Sequence, residues 1–236
     1  MKNILNLIAG LSALGMVSTQ AATTYVGNGN AAWGGNFGNG NIVVDDNVAG
    51  VLTFTINATT PGNAMVIYID SVTGGFSNNS LLSDADDGLR KAISGYNGSA
   101  RSGLNLPFAA DYAIAADGGY GALWQLAEGG NNSLVWKRGV GTIPTSGSVL
   151  TLNVSDLGLT ANSGQTFNFA AMMVSTSGYS SPEAIGASIT GAHGHGQTQT
   201  ITSGSSYTLI PEPSSSLLMG LGLAGLVALR LRRHRA

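Results

Sequence analysis

Along residues 51–57, VLTFTIN, apolar Leu52, Phe54 and Ile56 alternate with Val51, Thr53, Thr55 and Asn57. A period of two sends alternate side chains to opposite faces, so the segment predicts a strand with one buried face. Residues 65–70, MVIYID, are apolar at nearly every position and predict a central strand covered on both sides. Residues 111–117, DYAIAAD, and 120–128, YGALWQLAE, read as a hairpin closed by Gly118 and Gly119. SLVWKR, VLTLNV and TFNFAAMMVS continue the series, and ASIT, TQTIT and SYTLI close it. Residues 28–41, NGNAAWGGNFGNGN, break the pattern and read as a loop or irregular lead-in strand around Trp33 and Phe37. Turns rich in Gly, Asn, Ser and Asp separate these strands at fairly even spacing. The expected fold is all-β, a jelly-roll-like antiparallel β-sandwich. Two short helices are expected within it. Residues 86–94, DDGLRKAIS, start on a capping aspartate and space Leu89 and Ile93 four apart. Residues 155–159, SDLGL, suit a single turn.

The two ends follow other rules. Residues 1–22 combine a basic start at Lys2, an apolar stretch over 4–17 and small residues up to Ala21 and Ala22. That order is the pattern of a secretory signal peptide, with cleavage after Ala21 preferred over Ala22. The exported domain is then expected over 23–209. Residues 210–236 form a separate unit: Pro211-Glu212-Pro213, an apolar run over 214–229, and a tail over 230–236 carrying Arg230, Arg232, Arg233 and Arg235. Sixteen helical residues reach roughly 24 Å against about 30 Å of bilayer core, so the span is short. The arginines can snorkel to the headgroups and extend it, and the positive-inside tendency keeps them cytoplasmic. The two prolines stop a helix from running back into the domain.

Charge changes the picture once the ends are set aside. The whole chain carries a formal charge of −2, but residues 23–210 hold eleven Asp and Glu against five Lys and Arg, leaving −6. There is no basic patch, which argues against a nucleic-acid partner. The absence of cysteine excludes thiol catalysis, Cys-ligated zinc and disulfide stapling.

The tail closely resembles the PEP-CTERM signal of Gram-negative bacteria, in which the tripeptide, a hydrophobic helix and a basic end occur in that order. The resemblance implies export through the Sec translocon, transient anchoring in the inner membrane, and cutting near the tripeptide by an exosortase. The product would then pass to the cell surface or extracellular matrix.

Within the domain, SDADDG offers Asp84, Asp86 and Asp87 as oxygen donors for calcium, with Asp70 and Asp111 able to join them if the loop folds back. The EF-hand spacing fails, because Gly88 and Gly95 stand where acids belong; the plainer reading is a solvated loop that caps the following helix. His193 and His195 have a metal-like spacing but sit among glycines. Glu128 and Glu183 are the only glutamates of the domain, and nothing in the sequence places them together as a glycosidase pair. Trp33 and Tyr120, both beside glycines, are the aromatic rings best placed to stack on a sugar. The segments IYIDSVTGG, DDGLRKAISGYNG, DYAIAAD with YGALWQL, and SSPEAIG more weakly resemble exported β-sandwiches of the DOMON-like and carbohydrate-binding-module kind. The expectation is a non-enzymatic surface or matrix protein without a cofactor. The alternative is a module that binds exopolysaccharide, with calcium assisting.

Overall fold

In the computed structural model, residues 22–211 other than Pro61 are described. The predicted signal peptide, the apolar span and the basic tail lie outside them, apart from Ala22. Three sheets stack in layers. The first has the order β1 (Thr23–Val26), β2 (Asn41–Asp46), β3 (Val51–Asn57) and β10 (Ser148–Asn153). The alternation read at 51–57 is realised in β3, where Leu52, Phe54 and Ile56 are buried.

The central sheet runs β12 (Ser180–Ile185), β11 (Thr166–Val174), β4 (Ala64–Asp70), β7 (Tyr112–Ala116), β8 (Gly121–Gln125) and β9 (Val135–Gly139), with β15 (Ser205–Thr208) on the first half of β11. Strand β4 is buried from Ala64 to Ile69 because both faces are covered. Met65, Ile67 and Ile69 face the first sheet and share one apolar cluster with its Phe54 and with Phe167 and Phe169 of β11. Ala64, Val66 and Tyr68 face the third layer.

That third layer is helix α1 (Gly88–Ser94) together with a sheet of order β13 (Ser188–Thr190), β14 (Thr198–Ser203), β6 (Gly103–Ala110) and β5 (Phe76–Asn78). The predicted sandwich is present, and a second cover lies on its far side. Pairing is antiparallel throughout the described strands except between β14 and β6. Helix α1 packs over β7 and β4, where Ala64, Ala113 and Ala115 leave room for its Leu89, Ala92 and Ile93. Asp87 caps it, its Oδ1 accepting from Leu89 N and Arg90 N at 2.9 Å. Gly95 ends it at φ 67°, a left-handed conformation that favours glycine. The turn expected at 155–159 is a 3-10 turn over Val154–Leu157.

The hairpin between β7 and β8 forms as expected, with Ala116 opposite Gly121. Its turn is not built on glycine's left-handed freedom, since neither Gly118 nor Gly119 has a positive φ. Asp117 Oδ1 accepts from Gly119 N and Tyr120 N at 2.8 Å instead, a side-chain mimic of a backbone turn.

Candidate functional site

Several loops meet at one end of the layers around an open cleft of about 560 Å³. Thr59, Thr60, Gly62 and Asn63 from the β3–β4 loop line it, with Asp117, Gly118 and Gly119 of the hairpin turn, Ile143 and Pro144, and Thr176 from the β11–β12 turn. The lining is rich in hydroxyls and backbone amides, with one carboxylate and no basic side chain. Of that carboxylate, Oδ1 is committed to the turn.

Each of two lining turns also carries an aromatic ring paired with a second one. Tyr120 follows Gly119 and is 48 % exposed; its hydroxyl accepts from Trp136 Nε1 at 2.9 Å, and Trp136 is 52 % exposed. Trp136 stands opposite Trp124 in the β8–β9 register, which shifts between Leu123 and Trp124. Trp124 is buried over the third layer, whereas Trp136 lies on the edge strand of the sheet and stays half in water.

On the other turn, Tyr179 stacks on Trp33 with ring centroids 5.8 Å apart and planes at 28°. His193 and His195 meet the Tyr179 ring edge-on at 6.2 and 5.4 Å. Gly194 allows this approach, since a Cβ there would fall 2.4 Å from the Tyr179 ring. Asn97 Nδ2 donates to His195 Nε2 and Nδ1 pairs with Ser102 Oγ, both at 3.3 Å, which suits a neutral imidazole.

Trp33 is held by an acid far away in sequence. Glu183 is fully buried, and its carboxylate accepts from Trp33 N at 2.7 Å, Gly35 N at 3.1 Å, Phe37 N at 3.2 Å and Gly38 N at 3.1 Å. Four backbone donors around one carboxylate fix the glycine and asparagine tract that the sequence reads as a loop. Both oxygens of Glu183 are engaged in structure, while Glu128 is exposed; no catalytic pair is built from them.

Four of the five aspartates offered for calcium, Asp70, Asp84, Asp87 and Asp111, have other partners, and Asp86 is exposed. Asp84 is fully buried and binds Arg90 Nη1 at 2.6 Å and Leu134 N at 3.0 Å; it also accepts from Asp86 N at 3.2 Å. Asp87 caps α1 and meets Arg90 Nε at 3.1 Å. Asp111 Oδ2 accepts from Ser71 N and Val72 N at 3.0 Å, and Asp70 accepts from Asn168 at 3.0 Å. Among the described residues, no three His, Asp or Glu side chains group closely enough to hold a metal ion. The solvated-loop reading of SDADDG fails as well at Asp84, because Arg90, one helical turn into α1, draws that carboxylate into the interior.

Of the two ring candidates read from sequence, Tyr120 sits on a turn that lines the cleft, while Trp33 is partly buried and stacks on Tyr179 of the other lining turn. Their partners Tyr179 and Trp136 are among the rings that the sequence offers for stacking on a sugar, without being preferred there. For Trp136 a signal existed: VWKR puts an apolar pair beside two basic residues with no alternation to bury it. Tyr179 becomes apparent only once the turn and residues 28–41 are adjacent.

The other end of functional interest is the exit of the chain. Tyr207 Oη donates to Asp46 Oδ1 at 2.8 Å, and Ile210 N donates to both Asp46 oxygens at 3.2 and 3.3 Å. Burial, and then the neighbouring Asp46 carboxylate, push the Tyr207 phenol well above its usual range, so it stays protonated and donates. Leu209 N donates to Gln165 O at 2.8 Å. Leu209 and Ile210 are buried and Pro211 is exposed, so the first residue of the tripeptide lies at the surface directly after a buried pair. Glu212, Pro213 and the four terminal arginines lie outside the described residues. Among those described, no helix is long and apolar enough to cross a membrane.

Comparison with known proteins bears on this exit. No curated protein and no solved structure matches the chain, and the weaker resemblance of the domain to DOMON-like modules finds no support. The PEP-CTERM protein-sorting motif matches residues 209–233. The match begins at the last buried residues of the fold and takes in the tripeptide, the apolar run and the first three of the four terminal arginines. The chain thus carries a PEP-CTERM protein-sorting motif, the signal of exported proteins that an exosortase processes at the membrane.

Proposed function

We propose that this protein is a non-enzymatic component of the cell surface or extracellular matrix, released from its membrane anchor by exosortase and serving a structural or adhesive role. The observation that carries this reading is the sorting motif at residues 209–233, joined without a linker to a domain anchored as far as Ile210. A layered sheet domain with an apolar cluster on each face of its central sheet and no cysteine suits a passive surface module. Three of the acids and histidines are committed to structure: Glu183 to backbone amides, Asp84 to Arg90, and His195 to Asn97 and Ser102.

Intact-mass measurement of protein taken from the native cell surface tests it. The mature form should lack the first 21 or 22 residues and the apolar, arginine-ended tail. Recovery of that tail on the surface protein would overturn the sorting step.

A further inference from the structure

We propose that the cleft and the two aromatic pairs on its flanking turns bind a neutral, gluco-configured hexopyranose chain. Pyranose rings with equatorial hydroxyls present flat CH faces, which pack on aromatic π-faces, and a rim of hydroxyls that need donors and acceptors. The site offers both. Tyr120 and Trp136 are half exposed, and a 2.9 Å hydrogen bond holds them together, so they form a platform already ordered before any ligand arrives. Scattered single aromatics on a surface need no explanation, but two half-exposed rings fixed to each other, one of them directly after the cleft-lining Gly119, do.

The cleft itself falls in the size range of ligand sites. Thr59, Thr60 and Thr176 supply hydroxyls, and Asp117 Oδ2 is outside the hydrogen bonds that hold the turn. Carboxylates and hydroxyls of this kind accept from and donate to sugar hydroxyls. On the far turn Trp33 and Tyr179 add a second, stacked pair. With Tyr120 and Tyr179 each on a turn that lines the cleft, an open chain crossing between the turns fits better than a small molecule enclosed within it.

Charge selects among polysaccharides. No Lys or Arg lines the cleft, its one ionisable lining residue is Asp117, and the domain carries −6. A polyuronate would meet repulsion in the cleft, offset only by Lys137 beside Trp136, since Arg138 is paired with Asp156. The β9 edge is less suited to recruiting a second copy of the chain by strand addition. The register shifts beside Lys137, and a bulge with a lysine is a common way of blunting an open edge.

The test uses the full chain in a detergent without a sugar headgroup, titrated with cellohexaose, laminarihexaose, maltohexaose and polygalacturonate. At least one neutral hexaose should bind and shield Trp136 from a fluorescence quencher, while polygalacturonate should not. Trp136→Ala and Tyr120→Ala should each weaken binding about tenfold or more, the loss typical of a buried aromatic anchor. Melting should barely move, because both rings are half in water. Trp136→Phe should retain more affinity than Trp136→Ala, since a ring remains. Asp117→Asn should keep the turn, as the amide oxygen still accepts from Gly119 N and Tyr120 N, yet lose affinity. The proposal is overturned if no neutral hexaose binds, if polygalacturonate binds more tightly, or if Trp136→Ala binds as well as the parent chain. It is equally overturned if Trp136 is needed for self-association rather than for a sugar. Binding in solution is independent of sorting, so either reading can fail while the other stands.

Discussion

The central sheet is covered on both faces, and the two covers are built differently. Toward the first sheet the contact is a seam of Phe, Ile, Leu and Met, in which Phe54 meets Phe167 and Phe169 with centroids 6.4 and 6.1 Å apart. Toward α1 and the outer sheet, alanines line much of the central strands, and polar side chains run through the packing. Asp84 is paired with Arg90, and Asn79 donates to Ser94 O and Ser102 O at 2.9 Å. Arg101 Nη1 donates to Asn79 O and Leu82 O at 2.5 Å and to Ser94 O at 2.8 Å, with burial lowering the guanidinium's proton affinity. One cover is held by shape and the removal of apolar area from water; the other depends on polar groups finding their partners. A hydrophobic seam loses stability in proportion to what is cut from it, while a polar layer fails sharply when one partner goes.

Truncation in the seam should therefore give the largest loss. Phe54→Ala removes a fully buried ring that touches two others, and should cost about 4 kcal/mol in denaturant unfolding. A loss under about 1 kcal/mol would mean that the first sheet can close over the gap. Asp84→Ala should come next, at about 3 kcal/mol. It strands Leu134 N inside the protein and removes the buried counter-charge of Arg90, which keeps Leu134 O through Nη1 and Asp87 through Nε. The double variant Asp84→Ala with Arg90→Met should recover part of that loss, because replacing both partners by apolar groups removes the unpaired charge. No recovery would place the damage in the Leu134 backbone contact rather than in the ion pair.

The same contrast decides what could be read from the sequence. Strands of the seam announce themselves, because a face that is buried or not writes a period of two into the chain: β3 shows it, and β4, covered twice, shows its absence. Helix α1 was legible from Asp87 and from Leu89 and Ile93. The outer sheet was not recognisable as a layer. Its β5 and β13 are three residues each, and β14 pairs with β6 in parallel, a partnership with no local turn to signal it. The polar anchors were the least visible. Glu183 acts on backbone amides some 150 residues earlier, where side-chain identity leaves no trace. Asp84 looked like its neighbours Asp86 and Asp87, and only the arginine reaching back from the helix separates it from them. Trp33 and Tyr120 were singled out by their glycine neighbours, but their roles depend on Tyr179 and Trp136, which the fold supplies.

The smallest expected effect has the opposite sign, and it concerns a polar group in the outer layer that lacks a protein partner. Gln199 lies on β14 next to Ile201, which joins the core over the central sheet. It is fully buried, and among the described residues neither its Oε1 nor its Nε2 has a hydrogen-bond partner. An amide withdrawn from water without replacement bonds is unfavourable by roughly 1–3 kcal/mol. Gln199→Met keeps an unbranched side chain of similar length and removes both polar atoms. Part of the gain is offset by imperfect packing of the thioether, so the expected net stabilisation is about 1 kcal/mol. For a domain of this length that corresponds to roughly 2–4 °C in melting temperature. Gln199→Ala separates the polar effect from the packing effect, since it also removes the amide but opens a cavity, and it should fall below Met by the usual cost of that cavity. If Met is instead destabilising by 1 kcal/mol or more, the amide is bonded to ordered water, and the outer layer is a hydrated polar interface in which every buried group has a partner. A rise in melting temperature would show that this cover carries an uncompensated polar group, which the seam on the opposite face has the surplus stability to tolerate.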